Sequence, residues 1–460
     1  MAASTVLLVG AGISGLTTAY GLRKRGFEVT VLEADERVGG AIQSERIDGF
    51  LCEAGPNSMQ VKTAAVRAFL AEVGLEDRIT PANEAAGKRF VVRDGRPVAV
   101  PASPLAAVST PLFRWPAKLR LLREPWVPPT DKDDESVASF VTRRLGPEFL
   151  EYAIGPMTSG IYAGDPERLS IRHAFPKVWA LERKAGSLIR GALKLKKERK
   201  ARGEAPFKTQ LLSFREGLGE LTARLADELG DALYLRARFH SLHRAANGRW
   251  VAGWTQPVGE RSGEFDHVVL TTAPATWHQW QLPPPLAAAL LAQPHLAYPP
   301  VATLVLGFRR EQVAHPLDGF GVLVPRSEGF PFLGSIFSST LFPGRAPEGH
   351  VSLMLFLGGV LAPEAGAWPT ETAIAQSLDG LHRLLGVRGE PVFHRHTQWP
   401  EAIPQYDVGH GDFVDGLTAL EHKHPGLHFR GNYRGGPGLS DCIQNALTLA
   451  ATLPDDPHAR

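Results

Sequence analysis

The stretch that decides the fold is Thr5-Val-Leu-Leu-Val-Gly10-Ala-Gly12-Ile13-Ser14-Gly15, continued by a helical run to Arg25 and by Phe27-Glu-Val-Thr-Val-Leu-Glu33. It reads strand, glycine turn, helix, strand, acid, which is the order a dinucleotide site needs. Gly10 allows the tight turn, Gly12 lets the backbone approach a pyrophosphate, and Gly15 lets the helix pack closely on the strand. The pyrophosphate then rests on free N–H groups where Ile13 and Ser14 open the helix. Glu33 ends the second strand, where a carboxylate can accept both hydroxyls of an adenosine ribose. A glycine pattern alone carries little weight, because glycine-rich turns are common. Here the strand, helix, acid and spacing agree.

Outward from that motif, the composition is that of a large globular enzyme. The chain has 460 residues, 43% of them apolar, enough for two or three domains at roughly 150 residues each. Lys and Arg number 50 against 48 Asp and Glu, and so balanced a charge argues against nucleic acid as a partner. The 47 Gly and 37 Pro are scattered among apolar runs and mark turns. Cys52 and Cys442 are the two cysteines. They fit small buried residues in a reducing cytoplasm better than a disulfide framework. No Cys/His spacing indicates a metal. The N-terminus enters the first strand almost at once and does not read as a signal peptide. Ser187 to Arg202 is a basic run with apolar residues at partly helical spacing. It suits a helix on an anionic membrane surface, or alternatively a solvated helix or a basic loop.

The order along the chain is interleaved. Two short strands, Arg89-Phe-Val-Val-Arg and Pro97-Val-Ala-Val, hinge at Asp94-Gly95, and residues 101–206 carry helical patterns. A helix follows from Gly217, then strands over Tyr234–His243, Trp250–Thr255 and His267–Thr272. Residues about 290–390 read as further strands and one helix. The last strand is Leu427–Gly431, followed by a glycine-rich turn and a helix from about Ser440. No second glycine motif follows an apolar strand, so no separate nicotinamide domain is apparent.

Arg37-Val-Gly39-Gly40-Ala41, just beyond the ribose acid, resembles the extended signature of two-dinucleotide-binding flavoproteins and implies FAD. Gly160-Ile-Tyr-Ala-Gly-Asp165-Pro-Glu-Arg-Leu-Ser170-Ile-Arg resembles a segment of the oxygen-dependent protoporphyrinogen oxidase family. So do Gly319-Phe320-Gly321-Val-Leu323-Val-Pro, Ile403-Pro404-Gln405-Tyr406 and Gly438-Leu439-Ser440-Asp441-Cys442-Ile443, in the same order. Together they cover the chain nearly end to end.

The resemblance implies a mixed α/β fold built on a doubly wound FAD domain of the hydroxybenzoate-hydroxylase and amine-oxidase type, with substrate-binding and helical domains inserted. Residues 1–85, 207–285 and 400–460 would bind FAD, 86–105 and 286–399 substrate, and 106–206 would form a helical domain able to dock on membrane. The implied reaction removes six electrons from a porphyrinogen in three rounds, with oxygen reoxidising the flavin to give hydrogen peroxide. Beyond the glycine motif, Glu33 and the Arg37–Ala41 segment, the implied cofactor contacts include Pro56, Asn57 and Ser58. Phe239 would touch the adenine end and Ala273 the returning strand. Tyr406, Gly431, Gly438, Leu439, Ser440 and Ile443 would close the flavin end. Asp441 faces the flavin or caps the helix. No Cys lies in Trp399–Tyr406, near where covalent relatives attach flavin, so the FAD is expected to be non-covalent.

A porphyrinogen is wide, largely apolar, and carboxylated on one edge. Arg89 matches the position where the family pairs an arginine with a propionate, and a guanidinium fork suits a carboxylate. Gly160, Phe320, Gly321 and Leu323 match slot-forming positions. Phe356 stands where relatives often have methionine, which leaves the shape of the slot open. No protein side chain is expected to act as nucleophile or base, because the flavin carries the chemistry. An amine oxidase is disfavoured by Leu439 at a place usually held by tyrosine and by a rim arginine that would repel an ammonium. A carotenoid desaturase would have no use for Arg89. A flavin-carrying scaffold without turnover is the third alternative. Coproporphyrinogen III, with four carboxylates, would favour a more cationic slot than protoporphyrinogen IX, and the apolar wall leans toward the latter. The oligomeric state, a homodimer included, is left open.

Overall fold

The computed structural model describes residues 3–203 and 207–455. Thr5–Val9 lies at the centre of a five-stranded parallel sheet in the order Leu233–Tyr234, Glu28–Leu32, Thr5–Val9, His267–Leu270, Leu427–Phe429. Successive residues of a strand face opposite sides, and both sides here are covered. Val6 and Leu8 pack with Leu16 and Leu22 of the Ile13–Lys24 helix and with Ile443 and Leu449 of the Leu439–Thr452 helix. Leu7 and Val9 pack with Trp250, Trp254 and Phe265 of an antiparallel meander. Double coverage is why Thr5–Val9 reads as an unbroken apolar run.

The meander departs from expectation in two ways. Tyr234–His243 is not one strand. It breaks at Arg236, whose φ is 52°, and resumes as Arg238–Arg244. The N–H groups of Arg236 and Ala237 turn back to the carbonyls of Asp35 and Glu33, at 2.8 and 2.7 Å, and this carries the chain off the sheet edge. The third meander strand, Gly259–Phe265, escapes sequence reading because its first six residues, Gly-Glu-Arg-Ser-Gly-Glu, show no apolar alternation and only Phe265 is buried. The third expected strand ends at Leu270, before Thr271.

A mixed seven-stranded sheet runs in the order Phe393–Trp399, Val301–Arg309, His350–Gly358, Gly334–Ile336, Gly321–Leu323, Phe90–Arg93, Arg96–Ala99. The hairpin at its edge turns on Asp94 and Gly95, both with positive φ (53° and 72°), as a two-residue hairpin of this twist requires. The Thr370–Leu385 helix packs on its inner strands through Leu381 and Leu384. The single-turn helix Ser338–Leu341 was absent from the sequence reading.

Residues 104–201 supply helices, among them Pro104–Ser109, Trp115–Leu121, Gly155–Tyr162 and the basic helix Leu188–Ala201. Their centre holds fully buried Arg144, paired with the buried carboxylates of Glu182 and Glu124. Glu124 also accepts hydrogen bonds from the Leu188 N–H at 2.7 Å and the Ser187 hydroxyl at 2.6 Å. It thereby seats the start of the basic helix, and the satisfied lone pairs offset the cost of burying these charges.

Candidate active site

The glycine turn has the dimensions a dinucleotide cradle needs. A Cβ on Gly15 would lie 2.0 Å from the Gly10 carbonyl oxygen, and one on Gly10 would lie 2.8 Å from Thr271 Oγ1. The inner positions are closed to side chains. Gly12 differs, since a Cβ there meets nothing within 4 Å, so its outer face is open at the start of the Ile13–Lys24 helix. Gly39 bridges to Gly12 and donates its N–H to the Ala11 carbonyl at 2.8 Å. This brings Arg37–Ala41 alongside the turn, and the Arg37 guanidinium donates to the carbonyls of Val38 and Gly40. Glu33 accepts from the Ala11 N–H at 2.7 Å and the Asp35 N–H at 3.0 Å. A carboxylate has about four acceptor sites, so acceptor capacity remains for a ribose. Phe239 lies two residues after Ala237, whose N–H is bonded to the Glu33 carbonyl. Ala273 follows the His267–Leu270 strand and opens the next helical turn.

Two further loops reach the same region. In the first, Gly55 presses on Ala41, where a Cβ would lie 2.2 Å from the Ala41 carbonyl oxygen. Beyond Pro56, Asn57 is 5% exposed. Its amide nitrogen reaches Ser338 Oγ at 3.2 Å and Met354 Sδ at 3.3 Å, while its Oδ1 has no partner among the described residues. A buried acceptor left open in this way fits a site that receives a polar ligand. Ser58 continues the loop, partly buried. The second loop runs from Gly431 to Gly438 and opens the Leu439–Thr452 helix, whose first N–H groups lack intrahelical partners. Ser440 and Ile443 are buried on that helix beside Leu439.

Tyr406 is 1% exposed. Its hydroxyl donates to the Asn432 carbonyl at 2.6 Å and accepts from the Gly436 N–H at 3.1 Å. It braces the second loop from behind, and burial holds its phenol well above the ordinary range. Burial also pushes the Cys52 and Cys442 thiols up to about 12, so neither is a nucleophile near neutrality.

The residues expected to form the slot lie on or against the seven-stranded sheet. Leu323 on its strand packs against Gly160 of the Gly155–Tyr162 helix, where a Cβ would lie 2.8 Å from Leu323 Cδ2. Phe356 pairs across the sheet with Gly334, which in turn pairs with Leu323. Gly321 approaches Ser335 too closely for a side chain, since a Cβ there would lie 2.2 Å from the Ser335 carbonyl oxygen. Arg89 is exposed, with its guanidinium carbon 5.6 Å from the Phe320 ring centroid. Among the described residues it has no ion-pair partner. The neighbouring cations are committed, Lys88 to Asp318 and Arg93 to Glu148.

Comparison with known proteins now decides the family. Residues 13–453 match the model of the flavin containing amine oxidoreductases. The chain is 32% identical to protoporphyrinogen oxidase 2 of Arabidopsis thaliana, over 97% of this chain and 92% of that one. The chain belongs to the flavin-containing amine oxidoreductases, in their protoporphyrinogen oxidase group. Coproporphyrinogen III oxidase of Bacillus subtilis is 29% identical over 95% of both chains. A solved structure from Exiguobacterium sp. 255-15, provisionally named a protoporphyrinogen oxidase, superposes with a TM-score of 0.81 at 25% identity, covering 98% of this chain and 99% of that one. The protein is therefore an FAD-dependent oxidoreductase of the expected fold class.

Set against the porphyrinogen-oxidase motifs, one expectation needs correction. Asp441 is not the helix cap. That place is held by Gly438, and the Asp441 carboxylate pairs with Lys62 Nζ at 2.6 Å. Sequence reading also missed Thr303 and Trp399, which both donate to the Ala54 carbonyl, at 2.8 and 2.7 Å. The only signal for Thr303 is a hydroxyl inside Val301-Ala-Thr-Leu-Val-Leu, an otherwise apolar run.

Proposed function

We propose that this chain oxidises protoporphyrinogen IX to protoporphyrin IX in haem biosynthesis, with six electrons passing in three rounds to oxygen and hydrogen peroxide formed. The observation that carries the reading is Arg89, whose exposed guanidinium stands over the Phe320 ring with no ion-pair partner among the described residues. The slot's sheet also carries Met354, a contact of the loop residue Asn57. Non-covalent FAD, when bound, supplies a hydride acceptor that oxygen can regenerate.

The chain's own residues do the rest. The glycine turn takes the pyrophosphate, Glu33 the ribose, and the open N–H groups of Leu439 and Ser440 stabilise negative charge at the flavin end. Tyr406 keeps that loop in place. Arg89 pairs with a propionate through both carboxylate oxygens. Gly160, Leu323 and Phe356 cover the faces of the macrocycle and exclude water, while Phe320 supports the arginine. Lys88 and Arg93 are already paired, which leaves Arg89 as the free cation at the rim among the described residues. That favours protoporphyrinogen over coproporphyrinogen III, which carries twice as many carboxylates. The division into FAD-binding residues 1–85, 207–285 and 400–460, substrate-binding residues 86–105 and 286–399, and a helical part over 106–206 belongs to the same proposal.

The helical part is proposed to rest on a membrane face. Leu105, Trp115, Leu119, Leu122 and Trp126 are all strongly exposed, and the Glu124 turn among them seats the basic helix Leu188–Ala201. Exposed tryptophan and leucine beside a cationic helix suit an anionic lipid surface. Among the described residues no helix is long and apolar enough to cross a membrane.

The test is to supply purified protein with protoporphyrinogen IX and with polyamines, and to measure porphyrin fluorescence and peroxide together. Porphyrin should appear with three peroxides per ring and none should form from polyamines. Peroxide from polyamines without porphyrin formation would overturn the reading.

A further inference from the structure

The Ala54 carbonyl accepts two side-chain hydrogen bonds from the slot's sheet, one from Thr303 Oγ1 at 2.8 Å and one from Trp399 Nε1 at 2.7 Å. Two strands contribute these donors. Val301–Arg309 carries Thr303, and Phe393–Trp399 pairs with it so that Trp399 lies opposite Val301. Thr303 is 3% exposed and stands directly across the sheet from Phe356, the slot residue. On the other side of the carbonyl, Ala54 donates its N–H to Gln43 at 2.9 Å. Gly55 is pressed on Ala41, and the signature segment is bonded to the glycine turn through Gly39. An unbroken set of short contacts therefore runs from the slot wall to the dinucleotide cradle.

From this geometry we infer that Thr303 and Trp399 are positioning residues, which fix the distance between the slot and the cofactor by clamping the Ala54–Ser58 loop to the substrate sheet. A single carbonyl held by two donors from different strands cannot shift along either one. Both donors bond the Ala54 carbonyl, so both act through the loop. Hydride transfer tolerates little displacement, since reacting atoms must lie within roughly 3–3.5 Å. The inference rests on the proposed porphyrinogen reading for its kinetic arm, and its structural arm is independent of substrate.

The variants are Thr303→Val, which keeps the shape and removes the hydroxyl, Thr303→Ser, which restores a hydroxyl, and Trp399→Phe, which removes the indole N–H. Each is prepared as holoenzyme, with flavin content and melting temperature recorded. Anaerobic mixing with protoporphyrinogen IX then reads the rate of flavin reduction, and mixing of reduced enzyme with oxygen reads reoxidation. Thr303→Val and Trp399→Phe should slow reduction roughly tenfold or more, leave reoxidation and KM near wild type, and Thr303→Ser should recover most of the loss. Amide exchange at Gly55, Asn57 and Ser58 should quicken in the first two variants. Reduction within twofold of wild type in both, or a Thr303→Ser enzyme as slow as Thr303→Val, would overturn the inference. If no porphyrinogen reduces the wild-type flavin, the functional reading fails and exchange alone decides the clamp. Unchanged exchange at those three amides would then refute it.

Discussion

Arg89 and Glu33 should fail in different ways when removed, and that difference separates substrate from cofactor. An Arg89→Ala enzyme should keep its flavin and show a raised KM, because uniform binding of a propionate is lost. A smaller fall in kcat should follow from misplacement of the ring. Arg89→Lys should rescue only part, since an ammonium is a point charge and not a fork. Wild-type KM and kcat in Arg89→Ala would show that the arginine is solvated surface. Glu33→Ala should instead lose flavin. Charge-assisted hydrogen bonds are worth roughly 1.5–3 kcal/mol each, so FAD affinity should fall tenfold or more. The two backbone bonds to Ala11 and Asp35 also disappear. Full flavin retention after exhaustive dialysis would contradict this. The glycines and Glu33 were legible in the sequence because backbone geometry dictates those residue types at that spacing. Thr303 was not, because a lone threonine in an apolar strand looks like any other strand residue until its hydroxyl is seen on Ala54.

At the scale of elements, the basic helix and its apolar neighbours make the sharpest prediction. Wild-type protein should sediment with phosphatidylserine vesicles at low salt and less so as salt rises, because Debye screening weakens surface attraction. Charge reversal at Lys194 and Lys197 should weaken binding about tenfold or more, at about 1 kcal/mol for each cation lost from the surface. Trp115→Ala with Trp126→Ala should weaken it at every salt concentration. Absence of wild-type protein from the vesicle pellet would contradict the docking proposal. Elements were legible where pattern and burial coincide, as in Ile13–Lys24 and Thr5–Val9. Gly259–Phe265 was hidden because an exposed edge strand needs no apolar face. Arg236 was hidden because a positive φ on an arginine has no sequence signal.

At the scale of the whole molecule, three sequence-distant segments converge on one cradle: the N-terminal turn, the strand ending at Leu270, and the turn before Leu439. Their order was readable only through the family motifs, since nothing in local periodicity says which strands become neighbours. The cofactor they hold should be released intact. Trichloroacetic acid should leave the yellow colour in the supernatant, whereas flavin in the protein pellet would contradict non-covalent binding. The most direct test of the central claim is an anaerobic comparison of flavin bleaching by protoporphyrinogen IX and coproporphyrinogen III in the wild-type holoenzyme. Both should bleach the flavin, protoporphyrinogen with the higher second-order rate constant. A flavin that stays oxidised with both would contradict a porphyrinogen oxidase, and faster bleaching by coproporphyrinogen III would contradict the single-cation slot built around Arg89.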